Sequence, residues 1–327
     1  MVGKLTPITE LSCSRLPAVM GMSPWSTPND ELAKTVDALN GKPEPVWSAG
    51  EAADWGNLLE PVILQEVTNR LGLDTLLIPK EPFPAPGGLA LNASLDGIGC
   101  AMAGMRMVVE TNPEKGIYVM GGMDRIVLDG PGVLESKCAD SAPEDEPAAY
   151  RGPIQLQGCM ICSGYNWGAI GVLYRGRELR IFVYPRDPDM CIRIAEVVED
   201  FERRKRGPDW YPPVSTADAA RTWSTGEEDA PPIQLQRDAV DLIDDILVAR
   251  EVIKAAEATA EAAQTALMEM LGNHTEGSVV DADGTAYRVR WPMRKYKAQP
   301  EKVVPAKEAY QIRLKSLDIK VLENAAV

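Results

Sequence analysis

The sequence has little histidine and no excess of positive charge, and each shortage argues against a class of protein. Its 327 residues include one histidine, His274, so His-rich zinc sites and His-based catalytic triads have little support. Lysine and arginine number 34 against 48 aspartates and glutamates, for a formal net charge of −14. Phosphate backbones repel so acidic a chain, so we do not expect it to coat nucleic acid non-specifically, although a local basic channel would still admit DNA.

Cysteine and long apolar runs are also sparse. Six cysteines are spread over the chain, which is not a disulfide scaffold and favours a reducing cytoplasm. Cys159 and Cys162 form a CxxC with no second pair, so we interpret them as small buried residues of a helix. No run approaches the roughly 18 apolar residues of a membrane span. The first residues also lack the apolar region of a secretory signal, and we expect a cytoplasmic protein.

Hydrophobic periodicity predicts an α/β (α+β) chain. Helical patterns cover residues 28–40 and 49–71, and Pro61 is expected to bend the second helix next to Glu60. A period of two then predicts strands. The predicted strands are 90–98, 118–120, 123–128, 133–137, 167–174 and 179–184, and the later predicted helices are 149–164 and 187–206. This order predicts a mixed central sheet flanked by helices.

Composition divides the chain into three regions. Residues 1–207 carry the mixed pattern, and residues 208–232 are rich in proline without a clear period, which predicts a linker. Residues 233–327 are expected to form a long helix, a small β-hairpin and a basic tail. Between Leu242 and Met270 the apolar and alanine residues recur in steps of three and four, a heptad stripe whose alanines require a closely approaching partner helix.

The segment from Val133 to Lys137 carries the most informative chemistry. Residues two apart on a strand share a face, so Glu135 and Lys137 project together while Ser136 points away. Burying an acid beside a lysine is costly, and a metal ion on the carboxylate would offset that cost. Lys137 would then be placed to hold a water for attack on phosphorus.

Two further carboxylates complete a candidate metal site. Asp96, in Ser94-Leu95-Asp96-Gly97, and Glu135 could hold one hard cation through oxygen atoms, which suits Mg²⁺ or Mn²⁺ better than zinc. Glu60 could add a third carboxylate. Phosphodiester hydrolysis uses such clusters, because the metal lowers the pKa of its water and neutralises the phosphate. The Asp…Glu-x-Lys pattern is common on its own, so an exposed pair without a catalytic role remains the alternative.

Five short motifs follow one another between about residues 10 and 205. They are Leu16–Trp25, Gly56–Pro61, Ser94–Gly97, Leu134–Cys138, and Gln155–Gln157 with Ser163-Gly164. Their order resembles the YqaJ-type viral recombinase family, phage exonucleases of the lambda-exonuclease type. The resemblance implies a PD-(D/E)XK restriction-endonuclease-like catalytic core over residues 1–207. It also implies a Mg²⁺-dependent exonuclease that digests linear duplex DNA from 5′ ends, with Mn²⁺ as a substitute.

The same resemblance implies a set of metal ligands. Asp96 and Glu135 would bind the ion, the Ser136 carbonyl would be a third ligand, and Glu60 would complete the acidic cluster. The gap between Asp96 and Glu135 is longer than the family's single hairpin, so Asp124 is the alternative to Asp96, although the motif around Asp96 matches better. The extra segment is expected to be an inserted hairpin.

Catalytic and DNA-binding roles complete the candidate site. The resemblance implies that Lys137 orients or activates the attacking water and that Gln155 contacts the water or the scissile phosphate. Aromatic and basic residues are candidate DNA contacts. Together with Gln157, the candidate DNA contacts are Trp25, Arg203, Arg204, Arg290, Arg294 and Lys295. The alternatives are a core position for Trp25 and a solvated helix end for the arginine pair.

The resemblance also implies partners. A ring-like homo-oligomer of phage or prophage origin would enclose DNA in the bacterial cytoplasm and pass its product strand to a single-strand annealing recombinase. Two other functions stay open. One is a Cas4-type nuclease, which needs four cysteines for an iron–sulfur cluster. The other is a non-catalytic interaction protein that uses the heptad helix and has a decayed nuclease-like domain.

Overall fold

Helices and strands alternate through the part of the chain that the computed structural model describes, residues 6–42, 50–100, 106–207, 209–223 and 231–293. The helices are α1 (Leu16–Val19), α2 (Pro28–Leu39), α3 (Gly50–Leu71), α4 (Pro153–Ser163), α5 (Pro188–Lys205), α6 (Thr216–Thr222) and α7 (Ala239–Leu271). The strands are β1 (Leu11–Ser12), β2 (Thr75–Leu77), β3 (Phe83–Pro84), β4 (Leu91–Ala93), β5 (Gly97–Cys100), β6 (Met107–Glu110), β7 (Ile117–Val119), β8 (Arg125–Leu128), β9 (Pro131–Ala139), β10 (Trp167–Tyr174), β11 (Glu178–Pro185), β12 (Glu276–Val280) and β13 (Ala286–Arg290).

A six-stranded sheet forms the centre of the first of two units, Met1–Trp223. Its strand order is β2-β5-β9-β10-β11-β7. β9 runs parallel to β10 and β7 runs parallel to β11, while the other neighbours are antiparallel. The prediction of an α+β fold with a mixed central sheet is confirmed.

Helices cover both faces of this sheet. α3 packs against β9 and β10, so closely that a Cβ atom on Gly171 would overlap Val67. α4 and α5 belong to the core on the other face, together with α1 and α2. Neighbouring residues of β9 join different cores: Leu134 lies on the α3 side and Val133 on the α4 side. Glu135, two positions after Val133, therefore projects toward α4.

The helix ends follow local signals in the sequence. Thr27 caps α2 in a capping box with Asp30, as a threonine before Pro28 predicts. α4 begins at Pro153 after a 3₁₀ turn, and Gly164 ends it with a φ of 75°. Pro61 lies inside the single helix α3, and the bend there stays a prediction.

One predicted strand, residues 90–98, is wrong as a single element. β4 pairs with β1 and β3 in a small three-stranded sheet, whereas β5 pairs with β2 and β9 in the central sheet. The chain changes sheets between Ala93 and Gly97, and Asp96 lies at this junction. Periodicity cannot reveal the change, because the partner strands are remote in sequence.

The segment between Asp96 and Glu135 is more than the inserted hairpin that was expected. β6 and β8 do form an antiparallel ribbon of their own. The strand between them in sequence, β7, does not belong to the ribbon; it pairs with β11 at the edge of the central sheet. The insertion therefore supplies one strand of the main sheet as well as the ribbon.

The predicted linker, residues 208–232, also needs correction in its first half. Residues 209–223 belong to the first unit and contain helix α6. Asp218 is buried there, and its carboxylate accepts hydrogen bonds from Thr27, Asn29 and the Val214 amide. Proline-rich composition gave no periodic signal for this packing, because it depends on single polar anchors.

The second unit, Ser224–Val327, contains α7 and the β12–β13 hairpin. α7 covers the predicted heptad stripe, and of its residues only Leu271, at its end, is buried. The hairpin turns at Asp283-Gly284, where Gly284 has a φ of 83°. Within residues 231–293 no second helix packs along the stripe, so the expected close partner is not found there. The basic tail from residue 294 onward lies outside the described residues.

No helix among the described residues is both long and apolar enough to cross a membrane.

Candidate active site

Strand β9 and helix α4 bring an acid, a lysine and a glutamine together. Lys137 Nζ lies 2.5 Å from Glu135 Oε1 and 3.2 Å from Gln155 Oε1. Gln155 Nε2 donates to Glu135 Oε1 over 2.7 Å. Glu135 is buried, with 1% of its surface exposed. Each of the three side chains is therefore held by the other two.

Asp96 reaches this cluster from the neighbouring strand. It immediately precedes β5, whose first residue, Gly97, pairs with Leu134, so Asp96 lies at the level of Glu135. Asp96 Oδ2 accepts a hydrogen bond from the Ser136 amide over 2.9 Å, and the Ser136 hydroxyl lies 3.4 Å away. The backbone of β9 thus fixes the second carboxylate of the site.

The candidate site contains more carboxylates than cations, because Lys137 is the one cation beside Glu135 and Asp96. Burial raises the pKa of Glu135 to about 8, and the nearby Asp96 carboxylate adds to the effect. Burial alone would lower the pKa of Lys137, but the carboxylates of Glu135 and Asp96 raise it, which keeps the lysine charged. The excess negative charge is costly because it is shielded from water.

Glu60, on α3, lies within electrostatic range of the same group. Burial and then the Asp96 carboxylate raise the pKa of Glu60, while Lys137 lowers it. In the described part of the chain it makes no hydrogen bond to the other site residues. Glu60 therefore interacts with the cluster electrostatically but is not fixed to it by a hydrogen bond.

One atom tests whether a divalent cation suits this site. Glu135 Oε2 is buried and has no hydrogen-bond partner among the described residues. An unpartnered carboxylate oxygen beside a second carboxylate matches the oxygen ligands that hard cations prefer, and Mg²⁺ commonly uses one or two carboxylates and keeps several waters. The residues present fit such an ion.

Over the described ranges, no group of three or more His, Cys, Asp or Glu side chains is arranged to hold a metal. The fit therefore rests on Asp96 and Glu135 as a pair. Glu60 is not a preformed third ligand, and the Ser136 carbonyl stays a prediction.

Asp124, the alternative to Asp96, lies elsewhere. It is exposed beside the start of β8, and its backbone carbonyl accepts from the Thr111 amide. Asp96 and Lys137 are the charged groups that act on the pKa of Glu135, and Asp124 is not among them. The structure brings Asp96 to Glu135, and places Asp124 on the surface.

Gln157 does not face the candidate site, in contrast to its suggested DNA contact. It is buried, its Nε2 donates to the Pro185 carbonyl over 2.9 Å, and its Oε1 accepts from the Asp187 amide over 2.9 Å. Both ends of the amide tie α4 to the end of β11. A QxQ spacing puts the two side chains on different sides of a helix, so only Gln155 reaches β9.

Trp25 is not a core residue, because 77% of its surface is exposed. Its ring meets Tyr150 edge to face, with centroids 5.0 Å apart. Tyr150 lies in the 3₁₀ turn Ala149–Arg151 that precedes α4, and it was not among the predicted site residues. The sequence signal that could have indicated Tyr150 is an aromatic residue shortly before the helix that carries Gln155.

Three of the remaining candidate DNA contacts are arginines with acidic neighbours. Arg203 and Arg204 both pair with Asp200 and Asp209, which agrees with the solvated helix end. Arg290, in the second unit, pairs with Glu276 over 3.3 Å. Arg294 and Lys295 lie outside the described residues.

Three cysteines converge although they are scattered in sequence. Cys13 Sγ lies 3.8 Å from Cys162 Sγ, and Cys13 also interacts with Cys159. All three are buried in the core around α4, and burial raises the pKa of the Cys13 thiol. Protonated thiols in an apolar core behave as small core residues, as predicted. Three thiols fall short of the four that an iron–sulfur cluster needs.

The motifs of the candidate site are also recognised in a comparison with known protein families. Residues 8–166 match the model of the YqaJ-like viral recombinase domain. All five motifs that carry the resemblance lie within this matched segment, which is therefore similar to that domain where the motifs indicated.

The chain is also similar to solved structures. One is an alkaline exonuclease, LHK-Exo, from Laribacter hongkongensis, with 18% identity and a TM-score of 0.43 over 61% of this chain and 89% of that one. Another is a phage related exonuclease from Haemophilus somnus 129PT, with 15% identity and a TM-score of 0.38 over 60% of this chain and 93% of that one. No curated protein matches this chain.

Proposed function

We propose that this chain is a metal-dependent DNA exonuclease of phage-type recombination. The observation that carries the proposal is the buried group of Asp96, Glu135, Lys137 and Gln155, which has an acidic surplus and an unpartnered oxygen on Glu135. The match of residues 8–166 to the YqaJ-like viral recombinase domain supports the same function. The substrate is linear duplex DNA.

The expected ion is Mg²⁺, with Mn²⁺ as a substitute, held by Asp96 and Glu135. When bound, the ion supplies Lewis acidity and lowers the pKa of a water. Lys137, fixed by Glu135 and Gln155, presents its charged amine to the attacking water or to a non-bridging phosphate oxygen. Gln155, bonded to both Glu135 and Lys137, holds these two side chains in position.

The polarity of digestion, the cellular location and the partners are inferred from the resemblance to the family. Digestion proceeds from 5′ ends, in the bacterial cytoplasm, and leaves a single strand for an annealing recombinase. A ring-like homo-oligomer would enclose the duplex, which would let this acidic protein hold its DNA substrate. These features rest on the resemblance alone.

Digestion of linear duplex labelled at either the 5′ or the 3′ end tests the proposal. We expect release of the 5′ label with Mg²⁺ or Mn²⁺ and no release in EDTA. Glu135→Ala and Lys137→Ala should abolish digestion, whereas Glu178→Ala and Lys115→Ala, acid and lysine controls outside the site, should retain it. Undiminished digestion in EDTA would exclude the metal-dependent mechanism.

A non-catalytic interaction protein remains the second candidate, because most of α7 is exposed. The convergence of the candidate catalytic side chains argues against a decayed domain. A purified chain that binds a partner through residues 233–327 but cuts no form of DNA with Mg²⁺ or Mn²⁺ would favour this second function.

A further inference from the structure

A pocket of about 550 Å³ opens beside the first turns of α4. Methionines and prolines make up nearly half of its lining residues. The main wall residues are Met22, Met123, Met190, Pro147, Pro153 and Pro185. This volume is within the range of small-ligand sites, and flexible, polarisable methionines pack well against flat aromatic groups.

A tyrosine hydroxyl provides a polar group in this apolar setting. Tyr184 lines the pocket, is 9% exposed, and its hydroxyl is buried with no hydrogen-bond partner among the described residues. Burial raises the pKa of this hydroxyl, so it stays protonated. A buried donor without a protein partner is unfavourable, and a ligand acceptor that reaches this hydroxyl on binding would satisfy it.

Charged groups also line the pocket. The Arg186 guanidinium has no hydrogen bond or ion pair within the described part of the chain, so its charge is available to an anion. Glu146 and Asp187 line it too, and Asp187 caps the start of α5. Asp187 Oδ1 already accepts from the Asp189 and Met190 amides, so Arg186 is the lining cation that would pair with an anion, and one guanidinium matches one phosphate.

The pocket and the candidate active site share one helix. Pro153, Ile154 and Gln157 line the pocket, whereas Gln155 contacts Glu135 on β9. Met22 and Ala149 also belong to the wall, and in sequence they lie three residues before Trp25 and next to Tyr150, whose rings contact each other. The pocket and the candidate active site are therefore both built on the first turn of α4.

We propose that this pocket binds one unpaired deoxynucleotide, with the base between the methionines and prolines, the Tyr184 hydroxyl bonded to the base edge, and Arg186 on the phosphate. The nucleotide belongs to the strand that is not hydrolysed. The proposal rests on the proposed exonuclease function, which supplies such a strand.

Binding in EDTA tests the pocket without hydrolysis. Fluorescence anisotropy compares the full chain with blunt duplex and with duplex that carries a short 3′ overhang. We expect the overhang to bind about tenfold more tightly, which is the order of one well-placed base contact. Tyr184→Phe and Arg186→Ala should remove this preference and leave the blunt affinity unchanged.

Two matched variants control for general effects. Tyr174→Phe removes a hydroxyl from a tyrosine that is buried but does not line the pocket, and Arg193→Ala removes an exposed cation from α5. Both should keep the overhang preference. Tyr184→Phe should fold with an unchanged or higher Tm, because it removes a buried donor that has no partner.

A second arm identifies the source of the nucleotide. If free deoxythymidine monophosphate competes for the overhang preference, the pocket recognises the nucleotide unit itself; if only the overhang binds, recognition needs the continuous strand. Either result supports the proposal. Equal affinity for blunt and overhang duplexes in the wild type, or an overhang preference that survives both pocket variants, would overturn it. Digestion of blunt duplex is measured separately, so loss of the pocket and loss of the nuclease are distinguishable.

Discussion

Gln155 Nε2 donates to Glu135 Oε1 over 2.7 Å, and this bond joins helix α4 to the strand that carries the candidate catalytic lysine. The same glutamine accepts from Lys137 through Oε1. One side chain thus orients both members of the Glu-x-Lys motif. Its amide is suited to this, because it provides a donor and an acceptor at once.

Gln155→Ala should lower the rate of DNA digestion about 10- to 100-fold, because Lys137 and Glu135 lose their shared anchor. Initial rates with saturating Mg²⁺ measure this. Gln65→Ala, an exposed glutamine of α3, is the control and should match the wild type. Wild-type rates in Gln155→Ala would show that Lys137 is positioned without it.

The stability of the metal-free protein should fall as pH rises. The pKa of Glu135 is about 8 in the folded chain against an ordinary value of 4.5, so between these values the folded state holds a proton that the unfolded state has released. Stability is therefore lost with rising pH across this window. Urea unfolding in EDTA at a series of pH values measures it.

Glu135→Gln is the control for this pH dependence. It should weaken the loss between pH 4.5 and 8 and be more stable than the wild type near pH 8 in EDTA. Added Mg²⁺ should stabilise the wild type but not this variant. Equal pH profiles for the two chains would contradict the charge assigned to Glu135.

Asp96→Asn should weaken Mn²⁺ binding at least about tenfold, whereas Asp124→Asn should not change it, because only Asp96 reaches Glu135. Calorimetric titration with Mn²⁺ in the absence of DNA gives both affinities. The reverse order of effects would restore Asp124 as the ligand.

Trp25→Ala should weaken binding of DNA ends in EDTA about tenfold without changing Tm, since the ring is mostly exposed and can stack on a base. Trp223→Ala removes a second exposed tryptophan and serves as the control. A large fall in Tm for Trp25→Ala would instead indicate a structural role next to Tyr150.

Local patterns determined much of this protein. The capped helix α2, the β10–β11 hairpin and the long helix α7 all follow from caps, turns and periodicity, which act over a few residues. The alternation of β9 likewise predicts Glu135 and Lys137 on one face, and their side chains are in contact there.

Contacts between distant segments decided the rest. The chain leaves one sheet for another at Asp96, the insertion contributes β7 to the central sheet, and Asp218 anchors a segment that looked like a linker. Gln155 and Gln157 look equivalent in sequence, yet one bonds to β9 and the other to the end of β11. Only the packing of α4 against the sheet separates them, because a side chain's partner depends on what the fold brings to its side of the helix.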